Sequence, residues 1–331
     1  MKAIEIRGPG NLALVDLSRP EPAADEILVT VMASGICGTD LHIATGDYLG
    51  EYPIIPGHEF AGVVEEIGAG VESFEVGQRV AIEPNLSCGE CDYCKQGRIN
   101  HCRNWEAIGV TRPGGMAQHV TVPARAAFDI GELEYHQAAF MEPLSCIVHG
   151  FRKLNLGKAD RVLIMGAGPI GNLFGQLFVA RGMSSLTILE KQSQRLDLAR
   201  SMLDADLVTD ATEIEPESHD VIVDATGSTT LMEIAPDLVR KGGSILFFGV
   251  PPMSSRVELD AFEIFQKGLS LYTSYTSVRN SIEALDLLRD GVVDVDPLIS
   301  HRLPLNEFQM GIDLMVQRDG KTNKVMIHPN S

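Results

Sequence analysis

The stretch Arg161-Val-Leu-Ile-Met165-Gly166-Ala-Gly168-Pro-Ile-Gly171 decides the fold of this chain. Its first five residues are typical of a buried strand, and a helical pattern from Ile170 to Ala180 follows. The three glycines form a G-x-G-x-x-G motif in the strand–turn–helix context that gives the motif its meaning. They permit a tight turn, a close approach of the backbone to a pyrophosphate, and close helix–strand packing. The stretch therefore predicts a dinucleotide site, with an ordinary glycine-rich turn as the alternative.

An acidic residue after the next apolar strand bears on which dinucleotide binds. Glu190 directly follows the strand pattern Leu186 to Leu189. A carboxylate there can hold both ribose hydroxyls and repels a 2′-phosphate, which favours NAD over NADP. A solvated acid at a strand end is the alternative, and the nearby Lys191 and Arg195 would weaken the discrimination. We expect further cofactor contacts from Pro169, Ile170 and Thr226.

Strand and helix patterns alternate around this turn, from about residue 138 to residue 290. Apolar strands are predicted at Asp220 to Asp224 and Ser244 to Phe248, and a helix at Ser193 to Leu203. This alternation is typical of a parallel sheet covered on both faces, the doubly wound Rossmann arrangement. The segment between Leu203 and Asp220 leaves little room for a helix, so we expect one shortened crossover. We assign 138–290 to the nucleotide-binding domain.

The residues before 138 show short strand patterns separated by turns, without long helical periodicity. This pattern predicts a partly open β-barrel. The predicted strands are Leu12 to Leu17, Glu26 to Ala33, Ala61 to Ile67, Gln78 to Ile82 and Met116 to Val122.

The end of the chain mixes helices and a strand. Helices are predicted at Ser281 to Arg289 and Asn306 to Gln317, and a last strand at Lys324 to His328. We expect that strand to return to the first domain, which would then comprise 1–137 and 291–331.

Four of the six cysteines lie in one polar loop with the spacing C-x2-C-x2-C-x7-C: Cys88, Cys91, Cys94 and Cys102. Such spacing favours a structural Zn²⁺ with four thiolate ligands, in a lobe at about 86–104. An iron–sulfur cluster is an alternative, but the familiar bacterial run ends in x3-C-P. A thioredoxin-like redox pair would lie at a helix start beside a βαβ pattern, and a disulfide framework is typical of small scaffolds. His101 could replace Cys102 as a ligand.

Composition limits the classes of function. The 331 residues carry a net charge of −18, which argues against nucleic-acid binding because that needs a basic surface. There is no apolar run long enough for a membrane span, and the strand-like segment after Met1 does not resemble a signal peptide. With metal-type cysteine spacing, these features lead us to expect a cytoplasmic protein without membrane partners.

Two further segments carry metal-binding residue types: Gly35-Ile-Cys37-Gly38-Thr39-Asp40-Leu41-His42 and Gly57-His58-Glu59. Together with the four-cysteine lobe, Glu142-Pro143-Leu144 and the glycine turn, they give a specific match. Essentially the whole chain resembles the zinc-containing medium-chain dehydrogenase/reductase family, in its polyol (sorbitol-type) dehydrogenase branch. The resemblance implies a GroES-like barrel domain into which the nucleotide domain is inserted.

The resemblance also implies roles for individual residues. Cys37 and His58 match the catalytic zinc ligands of the family, and Glu59 matches a carboxylate that binds the zinc or alternates with water. Glu142 stands where classical alcohol dehydrogenases have a cysteine ligand; either glutamate could be the direct ligand. The remaining matches are Thr39 and His42 in proton transfer to solvent, and Asp40 in orienting His58.

Each of these residues also has a purely structural interpretation. Cys37 could be a small core residue, His42 could pack on a helix, and Glu142 could be a helix-terminal acid. Cys146 lies near Glu142, and we interpret it as structural. Candidate substrate-pocket residues are Tyr48, Tyr272 and Tyr275.

The function predicted from these observations is zinc-dependent oxidation of a secondary alcohol of a sugar alcohol to a ketose, with hydride transfer to NAD. The alternatives are a threonine-type 3-hydroxy amino acid dehydrogenase and a nucleotide-binding sensor without turnover. We expect two zinc ions per chain and a homo-oligomer, a tetramer rather than a dimer, with the apolar segment Ser244 to Val250 near its interface. Which polyol, carbon and stereochemistry are used is not encoded in any motif that we identify.

Overall fold

The computed structural model describes residues 1–47, 51–183, 185–317 and 319–331. Its strands are β1 Lys2–Gly8, β2 Asn11–Asp16, β3 Glu26–Ile36, β4 Glu59–Ile67, β5 Arg79–Ile82, β6 Asn85–Leu86, β7 Glu106–Ala107, β8 His119–Pro123, β9 Ala127–Asp129, β10 Arg161–Met165, β11 Ser185–Leu189, β12 Asp206–Val208, β13 His219–Asp224, β14 Val239–Phe247, β15 Ser270–Thr273, β16 Ile299–Pro304 and β17 Lys324–His328. Its α-helices are α1 Gly38–Thr45, α2 Asp92–Lys95, α3 Tyr135–Ala138, α4 Met141–Phe151, α5 Pro169–Ala180, α6 Ser193–Met202, α7 Thr229–Leu238, α8 Ala261–Lys267, α9 Ser281–Arg289 and α10 Phe308–Gln317.

These elements form two compact units. The first unit comprises Met1–Ser145, Thr276–Arg318 and Thr322–Ser331, and the second comprises Cys146–Tyr275 and Asp319–Lys321. The domain borders at 137/138 and 290/291 remain a prediction for the functional domains; the compact units change at Ser145 and Thr276.

The second unit is built on a parallel sheet with the strand order β12-β11-β10-β13-β14-β15. β10 lies at its centre, and Val162 to Met165 are fully buried, which explains their uniformly apolar sequence. Helix α5 packs against β10, and α7 packs against β13 and β14. The predicted Rossmann arrangement is confirmed.

The shortened crossover is confirmed as well. Between α6 and β13 the chain forms β12 and a single 3₁₀ turn at Ala211–Glu213 in place of an α-helix. β12 itself was not predicted, since three residues carry too little periodicity. The apolar segment Ser244 to Val250, expected near an oligomer interface, begins in β14 and continues past the end of that strand at Phe247. β14 is an inner strand, and the sheet edge beside it is β15.

The first unit contains the predicted partly open barrel. Its main sheet has the order β16-β17-β3-β4-β5-β9, and β8 also pairs with β3. β3 alternates inward-facing Ile27, Val29 and Val31, all fully buried, and they pack with residues of β4, β5 and β8 in one core. The predicted strand after Gly115 begins at His119, because Met116 forms backbone hydrogen bonds to Ile4 and Pro56 instead of a ladder.

The last strand returns to the first unit, as expected. β17 pairs antiparallel with β3, with Met326 opposite Gly35, and parallel with β16. The fully buried Phe308 of α10 packs in the same core as Ile36 and Val325. Residues more than two hundred positions apart therefore form one sheet.

None of the helices in the described ranges combines the length and the apolar character that a transmembrane span requires.

Candidate metal centres and nucleotide site

Cys37 lies between the end of β3 and the start of α1, in extended backbone conformation. The buried carboxylate of Asp40 fixes it there, because Oδ2 accepts a hydrogen bond of 2.8 Å from the Cys37 amide. The other oxygen of Asp40 accepts a 3.3 Å bond from the amide of Gly57. One side chain therefore joins the two segments whose residues were predicted to bind metal.

Gly57 supplies the turn that places His58. Its φ is +98°, and a Cβ atom there would lie 2.7 Å from the amide nitrogen of Met116. The ring of His58 is buried, and its Nδ1 lies 3.6 Å from Asp40 Oδ1. Burial opposes the imidazolium, but the charges of Asp40 and Cys37 outweigh it and raise the pKa of His58 well above its ordinary value.

Cys37, His58 and Glu59 form one cluster. Their candidate ligand atoms all lie within 4.8 Å of one another, and Glu59 is buried at the start of β4. Sulfur, imidazole nitrogen and carboxylate oxygen are the donors that Zn²⁺ prefers. The donor set and its burial therefore fit a zinc ion held by three protein ligands.

A residue that the sequence did not suggest completes this environment. Lys324, the first residue of β17, is 6% exposed, and its Nζ lies 2.5 Å from Glu59 Oε2. Burial opposes its charge, but Glu59, Cys37 and Glu142 raise the pKa of Lys324 above its ordinary value. The only signal in the sequence is a lysine directly before the apolar run Val325-Met-Ile327 of β17.

The other predicted residues of this centre are placed as follows. Glu142 lies in the first turn of α4, and its negative charge contributes to the raised pKa of Lys324. Thr39 and His42 lie on α1; Thr39 Oγ1 is 3.8 Å from the Cys37 sulfur, and His42 is half-buried. Tyr48 lies outside the described residues, and Tyr272 and Tyr275 belong to the second unit.

The four predicted cysteines of the lobe converge on one point. Their sulfurs lie within 4.8 Å of one another, with pairs at 3.4 Å for Cys88–Cys102, 3.9 Å for Cys91–Cys102 and 4.0 Å for Cys88–Cys94. Four sulfurs at 2.3 Å from one tetrahedral ion are about 3.8 Å apart. A disulfide, at about 2.05 Å, does not fit these distances.

Backbone amides lower the pKa of one cysteine thiol in this lobe. Amides of Arg103 and Cys94 lower the pKa of Cys91 to about 6, whereas burial raises the pKa of Cys94 to about 11. Cys102 also accepts from the amides of Cys88 and Asn104, both at 3.3 Å. Amide donors around clustered sulfurs favour thiolates and so suit a metal ligand set.

The glycine turn of the second unit has the predicted geometry. Gly166 has φ +103°, Gly168 is the N-cap of α5, and a Cβ on Gly171 would lie 1.8 Å from the carbonyl oxygen of Gly166. Pro169 and Ile170 form the first turn of α5, whose amides leave a site that suits a pyrophosphate. Thr226 lies against Gly166: a Cβ atom on Gly166 would lie 2.6 Å from the methyl group of Thr226.

Glu190 follows β11 directly, as the strand pattern Leu186 to Leu189 predicted. Its carboxylate accepts hydrogen bonds from the amides of Ala167, at 3.1 Å, and Gln192, at 2.9 Å. Arg195 approaches it with Nη1 3.8 Å away, and Lys191 is exposed. The acid therefore lies against the glycine turn, with one guanidinium beside it.

Comparison with known proteins gives the family. Residues 23–132 match the alcohol dehydrogenase GroES-like domain, and residues 169–290 match the zinc-binding dehydrogenase domain. The chain is 38% identical to D-altritol 5-dehydrogenase of Agrobacterium fabrum over 93% of this chain and 94% of the relative. It is 31% identical to D-arabinitol dehydrogenase 1 of Uromyces fabae, with 100% and 97% covered. Identity to L-threonine 3-dehydrogenase of Yersinia pestis is 32%, with 99% of each chain covered.

Solved structures agree with this result. A zinc-binding dehydrogenase from Sinorhizobium meliloti, bound to NADP, superposes with a TM-score of 0.93 at 33% identity over 99% of both chains. An alcohol dehydrogenase from Escherichia coli in complex with NADH gives 0.91 at 30% identity, again over 99% of both. The predicted dehydrogenase function is confirmed at this level: the chain belongs to the zinc-containing medium-chain dehydrogenase/reductase family, in its polyol dehydrogenase branch.

Proposed function

We propose that this enzyme oxidises a secondary alcohol of a sugar alcohol to a ketone, using zinc and NAD. The observation that carries the proposal is the convergence of Cys37, His58 and Glu59 within 4.8 Å. A second ligand-like carboxylate, Glu142, replaces the second thiolate of classical alcohol dehydrogenases. Oxygen donors leave the ion more electropositive than thiolates do, which suits a substrate that offers neighbouring hydroxyl groups.

The residues have distinct tasks in this proposal. Cys37, His58 and a glutamate, Glu59 or Glu142, hold the catalytic zinc. When bound, the zinc supplies Lewis-acid activation of the alcohol, and the nicotinamide supplies the hydride acceptor. The hydroxyl of Thr39, close to the Cys37 sulfur, would accept the proton of the alcohol while it donates its own proton onward, and His42 would release a proton to solvent.

The second metal has a structural role. Cys88, Cys91, Cys94 and Cys102 fill all four positions of a tetrahedral ion and so leave none for a substrate. Each chain therefore holds two zinc ions of different function.

The threonine-type alternative retains one supporting observation, the 32% identity to an L-threonine 3-dehydrogenase. The polyol assignment is favoured because D-altritol 5-dehydrogenase, at 38%, is more similar. The sensor alternative is disfavoured by the intact Cys37, His58 and Glu59 cluster.

A substrate panel tests the proposed reaction. With NAD, we expect turnover of at least one five- or six-carbon alditol, followed by the absorbance of reduced cofactor, and a lower kcat/KM for L-threonine. D-altritol and D-arabinitol belong in the panel because of the relatives. Faster oxidation of L-threonine than of every alditol would transfer the assignment to the amino acid class.

Variants separate the two metal centres. Cys37→Ala should remove one zinc and abolish turnover while NAD binding persists, because the nucleotide turn lies in the other unit. Cys94→Ala should remove the other zinc and lower the thermal unfolding temperature, since its metal organises the lobe. Cys146→Ala serves as the control, with both zinc ions retained. Metal analysis showing iron, or a single zinc in the unmodified enzyme, would contradict this assignment.

Glu190 should make NAD preferred over NADP. Two charge-assisted hydrogen bonds to the ribose, at about 1.5–3 kcal/mol each, support a preference of about a hundredfold or more in kcat/KM. Glu190→Ser should erase most of it, because Arg195 and Lys191 then face a 2′-phosphate without a competing carboxylate. The exposed Glu215→Ser in the same unit is the matched control. Equal use of both cofactors by the unmodified enzyme would show that Glu190 does not discriminate.

We also propose a homo-oligomer, a tetramer rather than a dimer. The second unit has an open sheet edge at β15 and exposed apolar side chains nearby in the chain, with Phe262 69% and Phe265 79% exposed. Phe262→Glu with Phe265→Glu should shift the mass measured by light scattering to a smaller species. Ile282→Glu, which alters an exposed residue of the first unit, should not. A monomeric parent protein at micromolar concentration would refute the proposal.

A further inference from the structure

The buried Lys324 is fixed on all sides by groups of the first unit. Its Nζ lies 2.5 Å from Glu59 Oε2, donates to the carbonyl oxygen of Ile36 at 3.3 Å, and lies 5.8 Å from the ring centroid of Phe140. A buried ammonium with defined acceptors and an aromatic neighbour has little freedom to leave. The amino group of Lys324 is therefore held within the cluster around Cys37.

Strand register brings Lys324 and Glu59 together. Gly35 of β3 is opposite Glu59 on β4 and opposite Met326 on β17. A Cβ atom on Gly35 would lie 2.4 Å from Glu59 Oε2 and 3.4 Å from Lys324 Cδ. The side chains of Glu59 and Lys324 therefore meet over the backbone of β3 at Gly35, where only a glycine leaves enough space. This packing holds the carboxylate of Glu59 in place.

This arrangement places the ammonium of Lys324 beside the proposed site of a metal cation. Glu59 also lies within 4.8 Å of the candidate ligand atoms of Cys37 and His58, so a metal ion there competes with Lys324 for the same carboxylate. Two positive charges in a buried site repel each other more strongly than in water. Both effects oppose metal binding at this cluster.

We propose that Lys324 is a positioning residue that restrains Glu59 and thereby weakens the hold of the catalytic centre on its metal. The inference rests on the proposed metal centre. A Glu59 held by Lys324 would leave a coordination position for the alcohol. Lys324 thus keeps the centre open at the expense of metal affinity.

Lys324→Met tests this in the purified, zinc-loaded enzyme. Zinc release to a chromogenic chelator should become about tenfold slower in the phase that Cys37→Ala eliminates, a change of the size typical of groups next to metal ligands. Release from the four-cysteine lobe should not change and serves as the internal standard. Lys324→Arg should restore the parent rate, and the exposed Lys2→Met should have no effect. Unchanged or faster release from the Cys37 centre in Lys324→Met would overturn the proposal.

Cobalt substitution gives an independent reading. If Lys324 restrains Glu59, the visible absorption of the cobalt enzyme should weaken in Lys324→Met, as expected for a higher coordination number when Glu59 binds. An identical spectrum would count against the restraint of Glu59.

Lys324→Met leaves Glu59 as a buried carboxylate without its cation, which disfavours folding. A third comparison therefore removes the carboxylate as well. In the Glu59→Gln background, Lys324→Met should slow zinc release from the Cys37 centre clearly less than it does in the parent, because the competition for the carboxylate is absent and only charge repulsion remains. An effect of Lys324→Met that is as large in Glu59→Gln as in the parent would refute the inference. Failure of the proposed function would give a different result: Cys37→Ala would then contain as much zinc as the parent enzyme.

Discussion

The carboxylate of Asp40 is the interaction on which the metal cluster depends. It accepts from the amides of Cys37 and Gly57, and so joins the end of β3 to the turn before β4. It adds a side-chain link to the pairing of β3 with β4, in which Gly35 is opposite Glu59, and so fixes the residues that follow β3 and precede β4. Asp40 is fully buried, and the low dielectric of the protein interior strengthens these hydrogen bonds.

The two sulfur-containing centres obtain their charge in different ways. In the lobe, backbone amides lower the pKa of Cys91, so the local chain conformation prepares the thiolates. Around Cys37, charged side chains dominate: Asp40 acts on His58, and Lys324 acts on Glu59. The lobe therefore needs only its own loop, whereas the Cys37 centre needs four segments from distant parts of the chain. This difference agrees with a structural metal in one and a reactive metal in the other.

The sequence allowed prediction of whatever lies in contiguous motifs. The glycine turn, Glu190, the four lobe cysteines and the Cys37 and His58-Glu59 segments all come together as expected, since local spacing or strand ends position them. Lys324 was missed because its partner is chosen by the register of β17 on β3, which no local pattern encodes. The hydrogen bond from Gly57 to Asp40 was missed because no local pattern links these two segments, although a role for Asp40 beside His58 was foreseen.

The position of β17 also has a consequence for the order of synthesis. The second unit is nearly continuous in the chain, from Cys146 to Tyr275, so it can fold while the ribosome still adds later residues. The first unit cannot finish then, because β3 lacks its neighbour β17 and Glu59 lacks the ammonium of Lys324. The nascent chain thus carries a nucleotide fold before it can carry a finished metal cluster. A metal ion that arrives early would meet Glu59 without its restraint.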